Sequence, residues 1–244
     1  MQLYFQSYPE VLSQPEPIII IPGLFGSSTN WRSFAKALSN EYDVYLVDQR
    51  NHGRSFHNDE FDYEILADDL KNYCNEHQLE NIILLGHSMG GKTAMLFATQ
   101  YPELVDKLVV ADISPRYYPI HHDAILEGLG SLDLNHIKSR TEADKQLSKY
   151  VSNFGIRQFL LKNLYWVEKG KLGLRINLEI LTKNVSEVGE ALPIYLKFDG
   201  DTLFLRGDRS EYIALTDKEG IKRQFPKAKI VTISNAGHWL HAEN

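Results

Sequence analysis

With 26 Lys and Arg against 32 Asp and Glu, this 244-residue chain has a formal net charge of −6, which argues against a surface built to bind nucleic acid. Its 43% apolar and 24% charged content is that of an ordinary globular core, either one large domain or a core with an insertion, and no apolar run approaches the roughly eighteen residues of a membrane span. The one cysteine, Cys74, excludes an internal disulfide and points to a reducing, cytoplasmic setting.

Leu3-Tyr4-Phe5-Gln6-Ser7 resembles the remnant of a tag-cleavage site, but Leu3 and Phe5 alternate with polar neighbours, and a first strand is the favoured reading. Apolar runs then predict strands at 18–21, 43–47, 82–85, 107–111, 202–206 and 229–233. Helices are expected between them at about 31–39, 59–76, 91–100 and 211–225, with Pro102 closing the third. Alternating strands and helices predict an α/β fold with a doubly wound, mostly parallel sheet. Between Pro115 and Phe198 the strand signal fades. Ile125, Leu129, Leu132, Leu147, Phe154, Phe159 and Leu160 read as short helices. We therefore expect a core of 1–114 and 199–244 and a helical cap of 115–198 above the sheet edge where α/β folds bind ligands.

Gly86-His87-Ser88-Met89-Gly90 follows the strand Ile82–Leu85 and opens a helix. A G-x-S-x-G at such a junction is a nucleophile elbow: the strained turn lifts a serine hydroxyl above the sheet, and only small residues fit two places to either side. The same stretch, Gly86 to Thr93, satisfies G-x-x-x-x-G-K-[ST], and Val110-Ala111-Asp112 could serve as the magnesium-holding strand of a nucleotide hydrolase. The elbow reading demands more parts in set places, and the chain supplies them. Ile21-Pro22-Gly23-Leu24-Phe25-Gly26 can offer backbone N–H groups to an oxyanion. Ala236-Gly237-His238-Trp239 places a histidine after the last strand, giving the order nucleophile first and histidine last.

Five segments in order, Pro22–Ser27, Asp48-Gln-Arg-Asn-His-Gly53, Gly86–Thr93, Ala111-Asp-Ile-Ser-Pro115 and Gly237-His-Trp-Leu-His-Ala-Glu243, make the chain resemble the α/β-hydrolase fold, and within it the YbfF-type bacterial esterases. The resemblance spans nearly the whole chain. It implies hydrolysis of small carboxylic esters, with acyl-CoA thioesters as a further class, through an acyl-enzyme and without cofactor or metal. Many relatives carry His-Gly where this chain has Pro22-Gly23. The fold usually closes with one more helix than this chain shows before Asn244; either the sequence as given omits it, or the helix is missing and apolar surface is left open.

Ser88 is the expected nucleophile and His238 its base. The resemblance places the third member about three residues past Gly207, where Ser210 stands, so Asp112, at the end of a neighbouring strand, is preferred with Ser210 as its rival. Met89 and Leu24 N–H, with Phe25 as second choice, should form the oxyanion hole. Phe25, Tyr165, Trp166 and Trp239 are candidates for the substrate pocket. Lys92-Thr93 is read as a structural pair, His121-His122 as a surface pair rather than a metal site, and the cap's Lys138, Arg140, Lys145, Lys149, Arg157 and Lys162 as a solvated face. A small-molecule ester is the expected partner; nucleic acid and membrane are not, and oligomeric state is left open. A phosphate-loop nucleotide hydrolase, a non-catalytic ligand-binding relative and a carbon–carbon hydrolase or lyase are the competing functions.

Overall fold

The computed structural model describes residues 1–8 and 16–243. Its centre is a seven-stranded sheet of β1 (Phe5–Tyr8), β2 (Glu16–Ile21), β3 (Tyr42–Val47), β4 (Ile82–His87), β5 (Val105–Ala111), β8 (Asp201–Gly207) and β9 (Lys229–Ile233). The spatial order is β1-β3-β2-β4-β5-β8-β9, parallel throughout except for β1, which pairs antiparallel to β3 with Phe5 opposite Val47. The alternation of Leu3 and Phe5 thus does mark a strand, at the sheet edge.

Strands buried on both faces must be apolar in every position. In β2 and β4 the two faces separate cleanly. Ile19, Ile21 and Leu84 pack with Leu70, Met95 and Phe97 from α2 (Tyr63–His77) and α3 (Met89–Gln100). Ile18, Ile20, Ile83 and Leu85 pack with Trp31 and Ala35 from α1 (Ser28–Leu38). Helix α2 starts later than expected because the Asp62 carboxylate caps it, accepting the Ile65 N–H at 2.8 Å. The helix expected over 211–225 shortens to α9 (Lys218–Gln224), preceded by a 3₁₀ turn over Leu215–Asp217. The loop before it is needed elsewhere, beside His238.

Between β5 and β8 the chain forms α4 (Asp123–Gly130), α5 (Arg140–Leu147), α6 (Phe154–Leu161), a hairpin of β6 (Leu164–Glu168) and β7 (Lys171–Leu174), then α7 (Leu178–Lys183) and α8 (Val185–Gly189). The hairpin corrects the all-helical expectation. Its strands are short and half-exposed, and the Leu164–Val167 run, rich in strand-favouring residues, is the signal that sequence reading passes over. Buried polar bonds fasten this segment to the core. The Tyr63 hydroxyl donates to the Val188 carbonyl at 2.8 Å, and Asn163 Nδ2 donates to the Phe25 carbonyl at 2.8 Å. The Asn177 N–H donates to the Asn51 carbonyl at 3.0 Å. Lys92, fully buried, donates from Nζ to the carbonyls of Gly189, at 3.0 Å, and Glu190. Burial and the nearby Arg116 cation lower the Lys92 pKa to about 7, against the pull of Glu190.

Candidate active site

Ser88 sits between β4 and α3 with φ 54° and ψ −124°. A non-glycine residue rarely holds such a backbone, and doing so costs on the order of 1–3 kcal/mol. The surroundings enforce it. The Ser88 N–H donates to the Ala111 carbonyl at 3.0 Å, and its carbonyl accepts the N–H of Gly91 at 2.8 Å. A side chain at Gly86 would overlap the Gly90 carbonyl, and one at Gly90 would overlap the carbonyls of Ile21 and Pro22. That close packing leaves no cradle for phosphate, and Lys92 points away into the cap contact, so the nucleotide-hydrolase reading of Gly86–Thr93 fails on structure. Thr93 serves the scaffold: its hydroxyl donates to Gln49, whose amide donates to the Pro22 carbonyl at 3.1 Å.

His238 stands 3.0 Å from Ser88 Oγ through Nε2 and 2.8 Å from Asp112 Oδ2 through Nδ1. A carboxylate only accepts, so Nδ1 carries the proton and Nε2 of the neutral ring is free to accept the Ser88 hydroxyl proton. Asp112 is completely buried, with φ 51° at the end of β5. Oδ1 accepts the Gly207 N–H at 3.1 Å, and the Ser210 hydroxyl donates to Oδ2. Asp112 and Ser210 are therefore partners in one network rather than alternatives. Asp208 holds the histidine loop instead, accepting the N–H groups of Asn235 at 2.9 Å and Ala236 at 3.1 Å. These bonds lower its pKa.

Two further aromatic groups contact the histidine and a third packs beside them, and sequence reading assigned none of them. Tyr212 stacks on the His238 ring at 4.0 Å, and its hydroxyl meets His121 Nε2 at 2.7 Å. His87 Nε2 donates to the His238 carbonyl at 2.7 Å; burial drives the His87 pKa well down, so it stays neutral. His241 stacks on Trp31 at 3.7 Å, and burial lowers its pKa to about 4. The only sequence signal for Tyr212 is its place two residues past Ser210 in the loop after a strand, and no motif singles it out.

Among the described residues, the Leu24 and Met89 N–H groups have no hydrogen-bond acceptor in the protein. Phe25, at φ 60°, has its carbonyl fixed by Asn163 and turns its ring toward the cavity. That cavity, about 340 Å³, opens on Ser88 and His238 and is walled by Phe25, Ile125, Ile156, Phe159, Leu160 and Trp239, among others. Tyr165 and Trp166 do not reach it. They lie on the β6–β7 hairpin, with Trp166 53% exposed and Tyr165 beneath the Arg175 guanidinium at 4.1 Å. The expectation of a surface histidine pair also needs correction, because His122 is half-buried and lines the cavity. Among the described residues no cluster of three or more His, Cys, Asp or Glu could hold a metal ion, and no helix is long and apolar enough to cross a membrane.

Comparison with known proteins agrees with this architecture. Residues 16–132 match the model of the alpha/beta hydrolase fold family. The chain is 41% identical over 234 residues to the sn-1-specific diacylglycerol lipase ABHD11 of Mus musculus, covering 93% of this chain and 76% of that protein. It is 32% identical over 230 residues to Esterase YbfF of Escherichia coli strain K12, covering 93% and 87%. A solved structure titled marine microorganism esterase superposes with a TM-score of 0.95 at 43% identity, covering all of this chain and 95% of that one. The elbow, the histidine loop, the sheet order and these similarities together show that the chain belongs to the α/β-hydrolase family.

Proposed function

We propose that this chain hydrolyses small carboxylic esters through a Ser88 acyl-enzyme. The observation that carries the reading is the unbroken relay Ser88–His238–Asp112 on the floor of an apolar cavity. Ser88 Oγ attacks the ester carbonyl while His238 Nε2 takes its proton. Asp112 keeps the imidazole in the Nδ1–H form and stabilises the imidazolium that develops. The Leu24 and Met89 N–H groups receive the oxyanion. His238 then protonates the departing alcohol, and water, activated by the same nitrogen, releases the acid. No step needs a cofactor.

The apolar walls favour an uncharged acyl group, and residues 115–198 act as the cap that selects it. Esters fit better than acyl-CoA thioesters. Arg157 is committed to Asp144 at 2.8 Å and to the carbonyls of Val151 and Ser152, and Arg140 to the Leu164 carbonyl, so neither guanidinium is free to meet a phosphate. The buried, unpaired Cys74 fits a cytoplasmic setting. The test is intact mass after a fluorophosphonate probe, paired with turnover of p-nitrophenyl esters of graded acyl length. One adduct and turnover on the native chain, both lost in Ser88→Ala, is expected. Equal labelling of the two proteins removes Ser88 as nucleophile.

A further inference from the structure

The mechanism leaves one polar group in the cavity unused. His122, at the start of α4, lines the 340 Å³ cavity and also a small alcove of about 20 Å³ that touches Ser88, Met89 and Leu24. It therefore forms part of the wall between two spaces that both open on the nucleophile. Its Nδ1 is enclosed and has no hydrogen-bond partner among the described residues. Its Nε2 also has none, but is not enclosed. The ring lies edge-on to Phe25 at 6.3 Å and against His121 at 4.2 Å.

An imidazole in this position has two neutral tautomers. A buried N–H without an acceptor is a costlier defect than a buried lone pair. The proton therefore resides on Nε2, the nitrogen that is not enclosed, on a ring that lines the cavity. Burial, with His121 and His238 nearby, lowers the His122 pKa to about 4, so the ring is neutral across the physiological range. The result is a fixed, uncharged donor in an apolar chamber beside the nucleophile. The oxyanion has its own donors in Leu24 and Met89, and the alkoxy oxygen of an ester is a poor acceptor.

We propose that His122 is a specificity-determining residue whose Nε2–H accepts substrates bearing a second oxygen, such as a hydroxyl, ether or second ester carbonyl, near the scissile ester. The inference rests on the esterase reading above. An alkyl ester lacking that oxygen leaves the donor unpaired in the closed complex, whereas a substrate carrying it regains a neutral hydrogen bond. Net bonds of this kind correspond to about 3–10-fold in kcat/KM.

The test compares two esters of matched size, 2-methoxyethyl butyrate and n-butyl butyrate, on the native enzyme, His122→Phe and His122→Gln. His122→Phe keeps the ring contacts and removes the donor; His122→Gln restores a neutral donor. The native enzyme should prefer the methoxy ester about 3–10-fold, mainly through KM. His122→Phe should bring the ratio to about one, and His122→Gln should recover part of it. A native ratio of one overturns the proposal, whether or not either variant folds, and so does a preference that survives in His122→Phe. If the native chain neither labels at Ser88 nor turns over either ester, the esterase reading fails and the proposal with it; labelling and turnover without discrimination fail the proposal alone.

Discussion

Replacing Asp112 by Asn exchanges one carboxylate oxygen for NH2 and should nearly abolish turnover. Asp112 Oδ2 accepts from His238 Nδ1 at 2.8 Å and from the Ser210 hydroxyl, while Oδ1 accepts the Gly207 N–H at 3.1 Å. If the Asn oxygen takes the Oδ1 place, its NH2 faces His238 Nδ1. The ring must then present a lone pair there and carry its proton on Nε2, where it cannot accept from Ser88 at 3.0 Å. If the amide is flipped, NH2 opposes the Gly207 N–H, donor against donor inside a fully buried site. The first orientation gives the wrong tautomer; the second keeps Nδ1–H but sets two donors against each other, and in both the charge that stabilises the developing imidazolium is gone. Loss of a triad carboxylate elsewhere lowers kcat by about 10⁴, or about 5.4 kcal/mol, and the same scale is expected here. Asn tolerates the φ of 51° at this position, so the variant should fold. Steady-state kcat on p-nitrophenyl butyrate, alongside a melting curve, measures the effect. Ser210→Ala, which removes one of three donors to the carboxylate, should cost about tenfold (about 1.4 kcal/mol). A folded Asp112→Asn enzyme within tenfold of the native rate, or one outperforming Ser210→Ala, would refute this reasoning.

Gly90→Ala forces a methyl group into the carbonyls of Ile21 and Pro22; a loss of about 1–3 kcal/mol, or roughly 2–12 °C in Tm, is expected by calorimetry, and an unchanged Tm would mean that the elbow has room to spare. Lys92 has a folded pKa of about 7 against 10.5 when free, so the native state binds fewer protons than the unfolded state between those values, and stability must rise with pH across that window. Lys92→Met should flatten that rise, and parallel stability-versus-pH curves for the two proteins would contradict it. Tyr212→Phe keeps the stack on His238 and should retain kcat within about threefold, whereas Tyr212→Ala should lose more than about tenfold. Equal losses would place the effect in the hydroxyl contact with His121.

The core and its order of parts were legible because their signals are local. Four branched residues before Gly86 can only be a buried strand, and the turn that follows admits only small neighbours. The interval after β5 was less legible. The Leu164–Leu174 hairpin is short and sits half in solvent; its Leu-Tyr-Trp-Val run favours a strand, but its aromatics were read as pocket candidates instead. Pocket residues were the hardest to place. Tyr165 and Trp166 drew notice as large aromatics, yet Phe159 and Ile156 line the cavity through the orientation of α6, which no pattern within that helix encodes. The positive φ of Asp112 is another tertiary fact; the residue alone does not reveal that its carboxylate turns back toward His238.

The bonds between cap and core constrain how the enzyme breathes. A swinging lid would have to break its latches in each cycle, and these latches are a lysine amine seated on two carbonyls, an asparagine on the Phe25 carbonyl and a tyrosine hydroxyl on Val188. Opening would exchange each bond for one to water, at a net cost of about 0.5–1.5 kcal/mol apiece. These bonds favour a segment between β5 and β8 that stays in place over the core. Turnover is then expected to proceed without a large hinge stroke. If no hinge stroke paces the cycle, added viscogen should leave kcat unmoved.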